Sequence, residues 1–387
     1  LHLSVHSFPT RRSSDLEEAL NRLGDVAWYL EIDPVTTIAR FKEEPSINKI
    51  ITEEKEQIGK IEAKEHLRSR RDSIFASKQF KLIAAPDSPS EVDDVADAIA
   101  LCIIDFDEET ITTSQDAPPS LVENIFNKTG ESGSFRTYRN RLLFLVANKQ
   151  QLEHAINTTR EHIAVKNILN SPNRLEDISE SQQKQLKQKN GELDLNVRIA
   201  LTNTYRHLFY PTKDDVKAPQ GLMHYTLPAN DSSTVKGKSN QQDVILKALR
   251  DCGKVRPESE TDAKPFAPAY ILQKVWPKGL EQWTTKNLKE QFAKNIALNL
   301  PIEAEIPKLR TTIRRGILEG QWDLKVGEKV YIKTGESSVT PPETIEFSER
   351  MVLYRRGILE PPQPKEIDFS VQLMSASTPQ KPVLARW

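Results

Sequence analysis

Three stretches place polar residues where a nucleotide-hydrolysing site would need them. LPANDSSTVKGKSNQQDVILKAL, residues 227–249, has strand, loop and helix in the order of a phosphate-binding loop, with Lys238 and Ser239 in the positions of its closing Lys and Ser. The motif G-x-x-x-x-G-K-[ST] also asks for a glycine at position 232, and this chain has Ser232 there. Without that glycine the backbone N–H groups do not wrap a phosphate, and a solvated lysine-bearing loop is the expectation. ALCIIDFDEE, residues 100–109, is an apolar strand ending in carboxylates, Asp105 first, as a Mg²⁺-holding strand would be. LLFLVAN ends in Asn148, where a polar sensor residue could stand. Strand ends are ordinarily polar, so the expectation is no catalytic residue, no metal and no cofactor held by this chain. An enzyme using Lys238, Ser239 and Asp105 is the alternative.

A different chemistry is written in IPKLRTTIRRGILEG, residues 306–320. Ile306, Leu309, Ile313 and Ile317 fall on one helical stripe, and Lys308, Arg310, Arg314 and Arg315 fall off it. No acidic residue lies between Lys308 and Leu318. Such a helix can enter a major groove, its arginines meeting phosphates or guanine edges, with Lys329 and Lys333 of the following hairpin near the DNA backbone. A solvated basic face, or a contact surface for protein subunits, is the competing reading. EVDDVAD gathers Glu91, Asp93, Asp94 and Asp97, which are expected at a helix start, where negative charge suits the dipole.

The elements that must position these residues follow from periodicity. FKLIAAP, AIALCIIDF and RNRLLFLVAN are apolar runs of strand length separated by SEVDDVAD and PSLVENIFNKTG, which read as helices. That alternation predicts a small parallel βαβαβ sheet. EPSINKIITEEKEQIGKIEAKEHLRSRRDSIF reads as one long, charge-rich connector helix, and two further helices run through QQLEHAINTTREHIAVKNILN and from Leu175 to Tyr210. LMHYTLPA reads as a strand. Near the C-terminus, APAYILQKVWPKG, TTKNLKEQFAKN capped by Thr284, and the basic helix with Pro307 at its start precede QWDLKVGEKVYIKTG, a hairpin turning at Val326 to Glu328. Three helices and a hairpin predict a winged helix. Leu16 to Lys42 repeats the helix-and-wing pattern, with Trp28 opening its wing as Trp322 opens the other, but its helix carries Glu17 and Glu18, which repel phosphate. RRGILE occurs at Arg314 and again at Arg355 in different surroundings, a chance repeat.

The expected fold is therefore α/β plus α+β: a mainly helical chain with a small parallel βαβαβ sheet and a C-terminal winged helix. The divisions are 17–45, the second half of a truncated winged helix; 46–79, a connector helix; 80–150, a small α/β domain; 151–215, a helical connector; 216–240, a loop; 241–335, the winged-helix domain; and 336–387, a Pro-rich tail. Residues 1–16 form no element: HSFPTRRSSDL reads back into codons as a sequencing adapter, and the expectation is an artefact joined to the C-terminal remainder of a longer protein.

Composition narrows the class. The 54 Lys and Arg against 55 Asp and Glu leave a net charge of -1 over 387 residues, which excludes a uniformly charged disordered chain. No apolar run approaches the roughly 20 residues of a membrane span, so a soluble cytoplasmic protein without a membrane partner is expected. Cys102 and Cys252 make neither a disulfide framework nor a metal pattern, and of seven histidines the five beyond the first sixteen residues show no ligand spacing.

At WYLEIDPVTTIARFKEEPSINKII and FRTYRNRLLFLVAN the sequence resembles a large prokaryotic family catalogued as a domain of unknown function, whose members look like P-loop ATPases of the AAA+ type. They are often encoded beside DNA methyltransferases and helicases in anti-phage defence clusters. The resemblance implies a parent protein that uses ATP and Mg²⁺, its P-loop N-terminal to this region, with double-stranded DNA and defence-cluster proteins such as a methyltransferase or helicase as partners. It implies no catalytic residue here. The expected function is that of a non-catalytic C-terminal part, binding DNA or partner subunits, with a pure interaction scaffold as the alternative.

Overall fold

The computed structural model describes residues 30–32, 39–41, 46–112, 117–176, 178–231, 240–256, 266–335, 339–360, 370–373 and 383–386. The chain divides into two compact units, Leu1–Thr261 with Glu290–Ile306, and Asp262–Lys289 with Pro307–Trp387. Among the described residues no helix is long and apolar enough to cross a membrane.

The first unit has mixed α/β content. Its short hairpin β1 (Leu30–Ile32) and β2 (Ala39–Phe41) pairs antiparallel, Leu30 opposite Phe41; the helix expected before it and the DPVT turn lie outside the described residues. The connector expected as one helix is two, α1 (Ile47–Gln57) and α2 (Lys60–Phe75). The break falls where Ile58 turns extended to bury its side chain, and Arg160 donates to the carbonyls of Lys55 and Ile58 that a continuing helix would have used. Far from being a spacer, α2 buries Ala63, Leu67 and Phe75 in the main core.

That core lies on a mixed sheet. Strands β3 (Lys81–Ala84), β4 (Ala100–Ile103) and β8 (Leu142–Asn148) run parallel, with the two-residue β5 (Thr110–Ile111) extending the pairing to β8. The minor hairpin β6 (Lys128–Thr129) and β7 (Ser134–Phe135) stands apart. Leu101, Ile103, Leu143 and Leu145 face one side; Ala100, Cys102, Leu142, Phe144 and Val146 face the other, under α3 (Ser120–Asn127) with Val122, Ile125 and Phe126. Both faces of β4 and β8 are covered, which is why these two strands read as continuous apolar runs.

Two further expectations fail around the sheet. SEVDDVAD forms only a single 3₁₀ turn, Pro89–Glu91, so one of the two expected crossover helices is missing. Its carbonyls are taken elsewhere: the buried Arg136 guanidinium donates to those of Pro89, Val92 and Asp93, and Arg141 to those of Asp93 and Ala98. Asp94, expected to favour a helix start, accepts instead from the backbone of Thr137 and Tyr138. The second failure is the helix to Tyr210. It stops at Thr204, and His207–Pro211 is β9, pairing antiparallel with β8, Phe144 opposite Phe209. Pro211 cannot continue a helix, and a run of Leu208, Phe209 and Tyr210 gains more as a strand buried on a sheet. The strand expected in LMHYTLPA is β10 (Leu222–Thr226), so the sheet order is β10-β9-β8-β4-β3.

Helices α4 (Lys149–Asn170), the short α5 (Pro172–Glu176) and α6 (Glu180–Thr204) complete the helical layer, α6 opening on a capping box from Ser179 to Gln182. Helix α7 (Gln241–Asp251), assigned by sequence to the start of residues 241–335, belongs instead to this unit: Ile245, Leu246 and Leu249 join the main core, and Gln242 bonds the backbone of Phe75 and Phe80.

The second unit opens with α8 (Pro268–Tyr270), which widens into a π turn over Ile271–Val275. Then come β11 (Gln282–Thr284), the first half of α9 (Thr285–Lys294), whose residues from Glu290 count with the first unit, α10 (Ile306–Glu319) from Pro307 onward, β12 (Trp322–Val326), β13 (Lys329–Tyr331) and β14 (Met351–Arg355). Thr284 caps α9 as expected, its hydroxyl accepting from the N–H of Asn287 at 3.1 Å. The hairpin turns at Gly327, φ +58°. The sheet order is β11-β14-β12-β13, so residues beyond 335 contribute a central strand to it. Trp276, Trp283 and Trp322 cluster beneath, Trp276 lying 5.7 and 6.2 Å from the other two rings. The second RRGILE ends β14 and turns at Gly357, whereas the first is helical. A last hairpin, β15 (Ser370–Leu373) and β16 (Val383–Arg386), pairs antiparallel.

Candidate nucleic-acid interface

Helix α10 presents its basic residues as its apolar period requires. Leu309, Thr312, Ile313, Gly316 and Ile317 are buried; Lys308, Arg310 and Arg315 are exposed, and Arg314 is half-buried. Lys329 is exposed at the hairpin turn and Lys333 is half-buried after it.

The side chains are not equally available to a ligand. The Arg310 guanidinium lies 5.3 Å over the ring of Phe347, with Lys289 5.7 Å from the same ring. Arg315 pairs with Glu319 at 2.5 Å, one residue beyond the stretch free of acidic residues. The Nε of Arg314 is buried with no hydrogen-bond partner. Arg356 braces the end of the hairpin, donating to the carbonyl of Gly320 at 2.6 Å and to that of Lys333 at 3.3 Å. Lys289, Phe347 and Arg356 are additions that no local period announces: Phe347 meets the basic helix at Arg310 and Arg356 meets the hairpin across tens of residues of chain, and Lys289 lies over the same Phe347 ring.

Of the residues considered for nucleotide chemistry, the two that are described, Asp105 and Asn148, are engaged within the fold. Lys238 and Ser239 lie outside the described residues. Asp105 follows β4 as expected, but its carboxylate accepts a fork from Arg68 (3.0 Å to each oxygen), a bond from Arg71 at 2.9 Å and one from the backbone N–H of Asp107. A carboxylate so engaged does not fit a Mg²⁺ ligand. Asn148 caps α4, its Oδ1 accepting from Gln150 and Gln151. Among the described residues no group of three or more His, Cys, Asp and Glu could hold a metal ion.

No family model, curated protein or solved structure matches the chain.

Proposed function

We propose that the second unit is a winged helix that binds double-stranded DNA, with α10 as its groove-reading helix. What carries the reading is strand order. In a winged helix, a strand after the first helix pairs with the return strand of the wing, which pairs in turn with the strand leaving the recognition helix. Here β11 pairs with β14 and β14 with β12, directly after α10. On this reading β13 and the described residues 332–335 and 339–350 belong to the wing, which places Lys329, Lys333 and Phe347 on it and extends the domain past residue 335. Lys308, Arg310, Arg314 and Arg315 face phosphate or base edges. The chain would then be the non-catalytic, DNA-contacting part of a defence-associated ATPase, ATP and Mg²⁺ being handled elsewhere in the parent protein.

The test is duplex binding by the chain, followed by fluorescence anisotropy against salt. Replacing Arg310, Arg314 and Arg315 by Ala should weaken binding and reduce the salt slope by roughly 2 to 3, about 0.9 for each phosphate no longer neutralised. Because Arg314 is half-buried, a second variant carrying Lys308→Ala and Lys329→Ala, both exposed, should reduce the slope by roughly 1 to 2. A folded chain that binds no duplex at low salt would overturn the proposal.

One observation favours a scaffold instead. Arg310 and Arg315, stacked on Phe347 and paired with Glu319, are partly neutralised within the unit. In that case α10 packs a partner subunit or a defence-cluster protein such as a methyltransferase or helicase, and the association persists at high salt.

A further inference from the structure

Two histidines with no ligand spacing in the sequence meet in the helical layer of the first unit. His66 on α2 and His162 on α4 approach edge to face, ring centroids 5.9 Å apart. With Arg70 of α2, Lys166 of α4, and Asn190 and Asp194 of α6, they line a cavity of about 620 Å³. His162 is only 5% exposed. The Nδ1 atoms of both rings and Oδ1 of Asn190 are buried and have no hydrogen-bond partner. Buried polar atoms are almost always satisfied, by protein, water or a ligand. The residues that carry these three atoms, one on each of three helices, line the same cavity.

We propose that this cavity binds a phosphate-type oxyanion. Its lining carries two fixed cations, Arg70 and Lys166, against one carboxylate, Asp194, which is itself paired with Arg70. That excess of positive charge disfavours a metal ion and suits an anion. The imidazoles and the Asn190 amide supply neutral donors at the cavity wall. The hydroxyls of Ser69 and Ser73 stand at the same cavity. An apolar ligand would leave all of these groups unsatisfied.

The electrostatics agree. Burial and then the charge of Arg70 hold both imidazoles below their ordinary range, Lys166 acting in the same sense and Asp194 opposing on both, with Glu62 also opposing on His66. Both rings are therefore neutral near pH 7. A bound oxyanion offsets those cations, so it must raise both imidazole pKa values, and by linkage proton uptake and anion binding reinforce one another.

The experiment is a titration of the full chain, in phosphate-free buffer, with inorganic phosphate and separately with adenosine monophosphate, read by the imidazole nitrogen signals of His66 and His162. Saturable shifts on both rings are expected, with both titration midpoints moving upward. Lys166 is exposed and can be replaced without touching the core; Lys166→Gln should weaken binding roughly fivefold or more by removing a charge-assisted bond. Tighter binding of the monophosphate ester than of phosphate would identify an ester as the ligand class, and equal or weaker binding the free ion. Absence of saturable shifts with either probe would overturn the proposal. So would shifts that sodium chloride of equal ionic strength reproduces and Lys166→Gln leaves unchanged.

Discussion

Arg71 of α2 and Asp105 beyond β4 form a buried ion pair, Nη1 to Oδ2 at 2.9 Å, that fastens a helix to the end of a central parallel strand. Arg68 adds a fork to the same carboxylate. Burial pushes the Asp105 carboxyl up, but the bonds from Arg68, the Asp107 backbone and Arg71 outweigh it and hold the group at about 2. A carboxylate depressed in the fold contributes stability above its unfolded pKa of about 3.9, and that contribution is lost as pH falls through 2. Asp105→Asn removes one of the two carboxylates paired with the buried Arg71 guanidinium, Asp72 holding its Nε at 2.8 Å, and should cost about 2 kcal/mol at pH 7 in denaturant unfolding. The variant should also show a smaller decline in stability between pH 4 and 2 than the wild type. Unchanged stability in the variant would mean the pair does not hold α2 to the sheet.

Gly316 lies under the indole of Trp322: a Cβ there would come within 2.0 Å of Cζ2 and 2.3 Å of Cε2. The ring cannot move aside, because it is fully buried and its Nε1 donates to the carbonyl of Ile313 at 3.1 Å. Alanine is the better helix former by about 1 kcal/mol, yet the overlap should outweigh this, and Gly316→Ala is expected to destabilise the second unit by about 1–3 kcal/mol. Tryptophan fluorescence during thermal unfolding reads the change directly. A gain in stability would show that α10 and Trp322 can separate at little cost.

How much of this was legible in the sequence depended on how far apart the partners lie. The runs at β4 and β8 could be read because burial on both faces makes a strand apolar throughout, while the edge strand β3, exposed at Lys81 and Ala84, is apolar only through Leu82 to Ala84. The Thr284 cap and the Gly327 hairpin are local, and their residue types announce them. SEVDDVAD could not be read, because the guanidiniums that take its carbonyls belong to Arg136 and Arg141, more than 40 residues away. The central place of β14 was hidden for the same reason: its neighbours β11 and β12 are distant in sequence, and the Pro-rich stretch before it reads as a tail. In the basic helix the charges were visible, but the ring of Phe347 over which Arg310 lies was not.

Lys254 is buried, and its ammonium donates to Asn140 Oδ1 at 2.6 Å and to the carbonyls of Ile296 and Leu298 at 3.1 and 3.0 Å. These bonds tie residues 290–306 to the body of the first unit. Lys254→Met keeps the length of the side chain but strands Asn140 Oδ1 and the carbonyl of Ile296, that of Leu298 keeping a bond from the Asn140 amide, which should cost about 2–4 kcal/mol. Adding Asn140→Leu removes one of those acceptors, yet the Asn140 amide also serves the carbonyls of Phe292 and Leu298. The double variant should therefore be less stable than Lys254→Met alone. Denaturant midpoints of the two variants give the comparison, and a double variant at least as stable as Lys254→Met would remove Asn140 from this role.

The protonation of His207 is dictated by its neighbours. Asn148 Oδ1 accepts from two backbone N–H groups of α4, so its Nδ2 is the atom that donates to His207 Nε2, at 3.2 Å. With Nε2 an acceptor, the proton of neutral His207 sits on Nδ1 and is donated to His224 Nε2 at 2.9 Å. A second proton on Nε2 would face the Asn148 amide hydrogens. Burial, then His224 and Arg206, push His207 down to about 4. The unfolded chain takes up its proton near pH 6.5, before the folded one does, so stability present above pH 6.5 is lost as pH falls to about 4. This group's share of the loss is about 2–3 kcal/mol. Unfolding free energies at pH 7 and pH 4.5 should therefore differ less in His207→Gln, which can still accept from Asn148 and donate to His224 but does not titrate. An equal pH dependence in variant and wild type would place the acid sensitivity on other groups and sink this assignment.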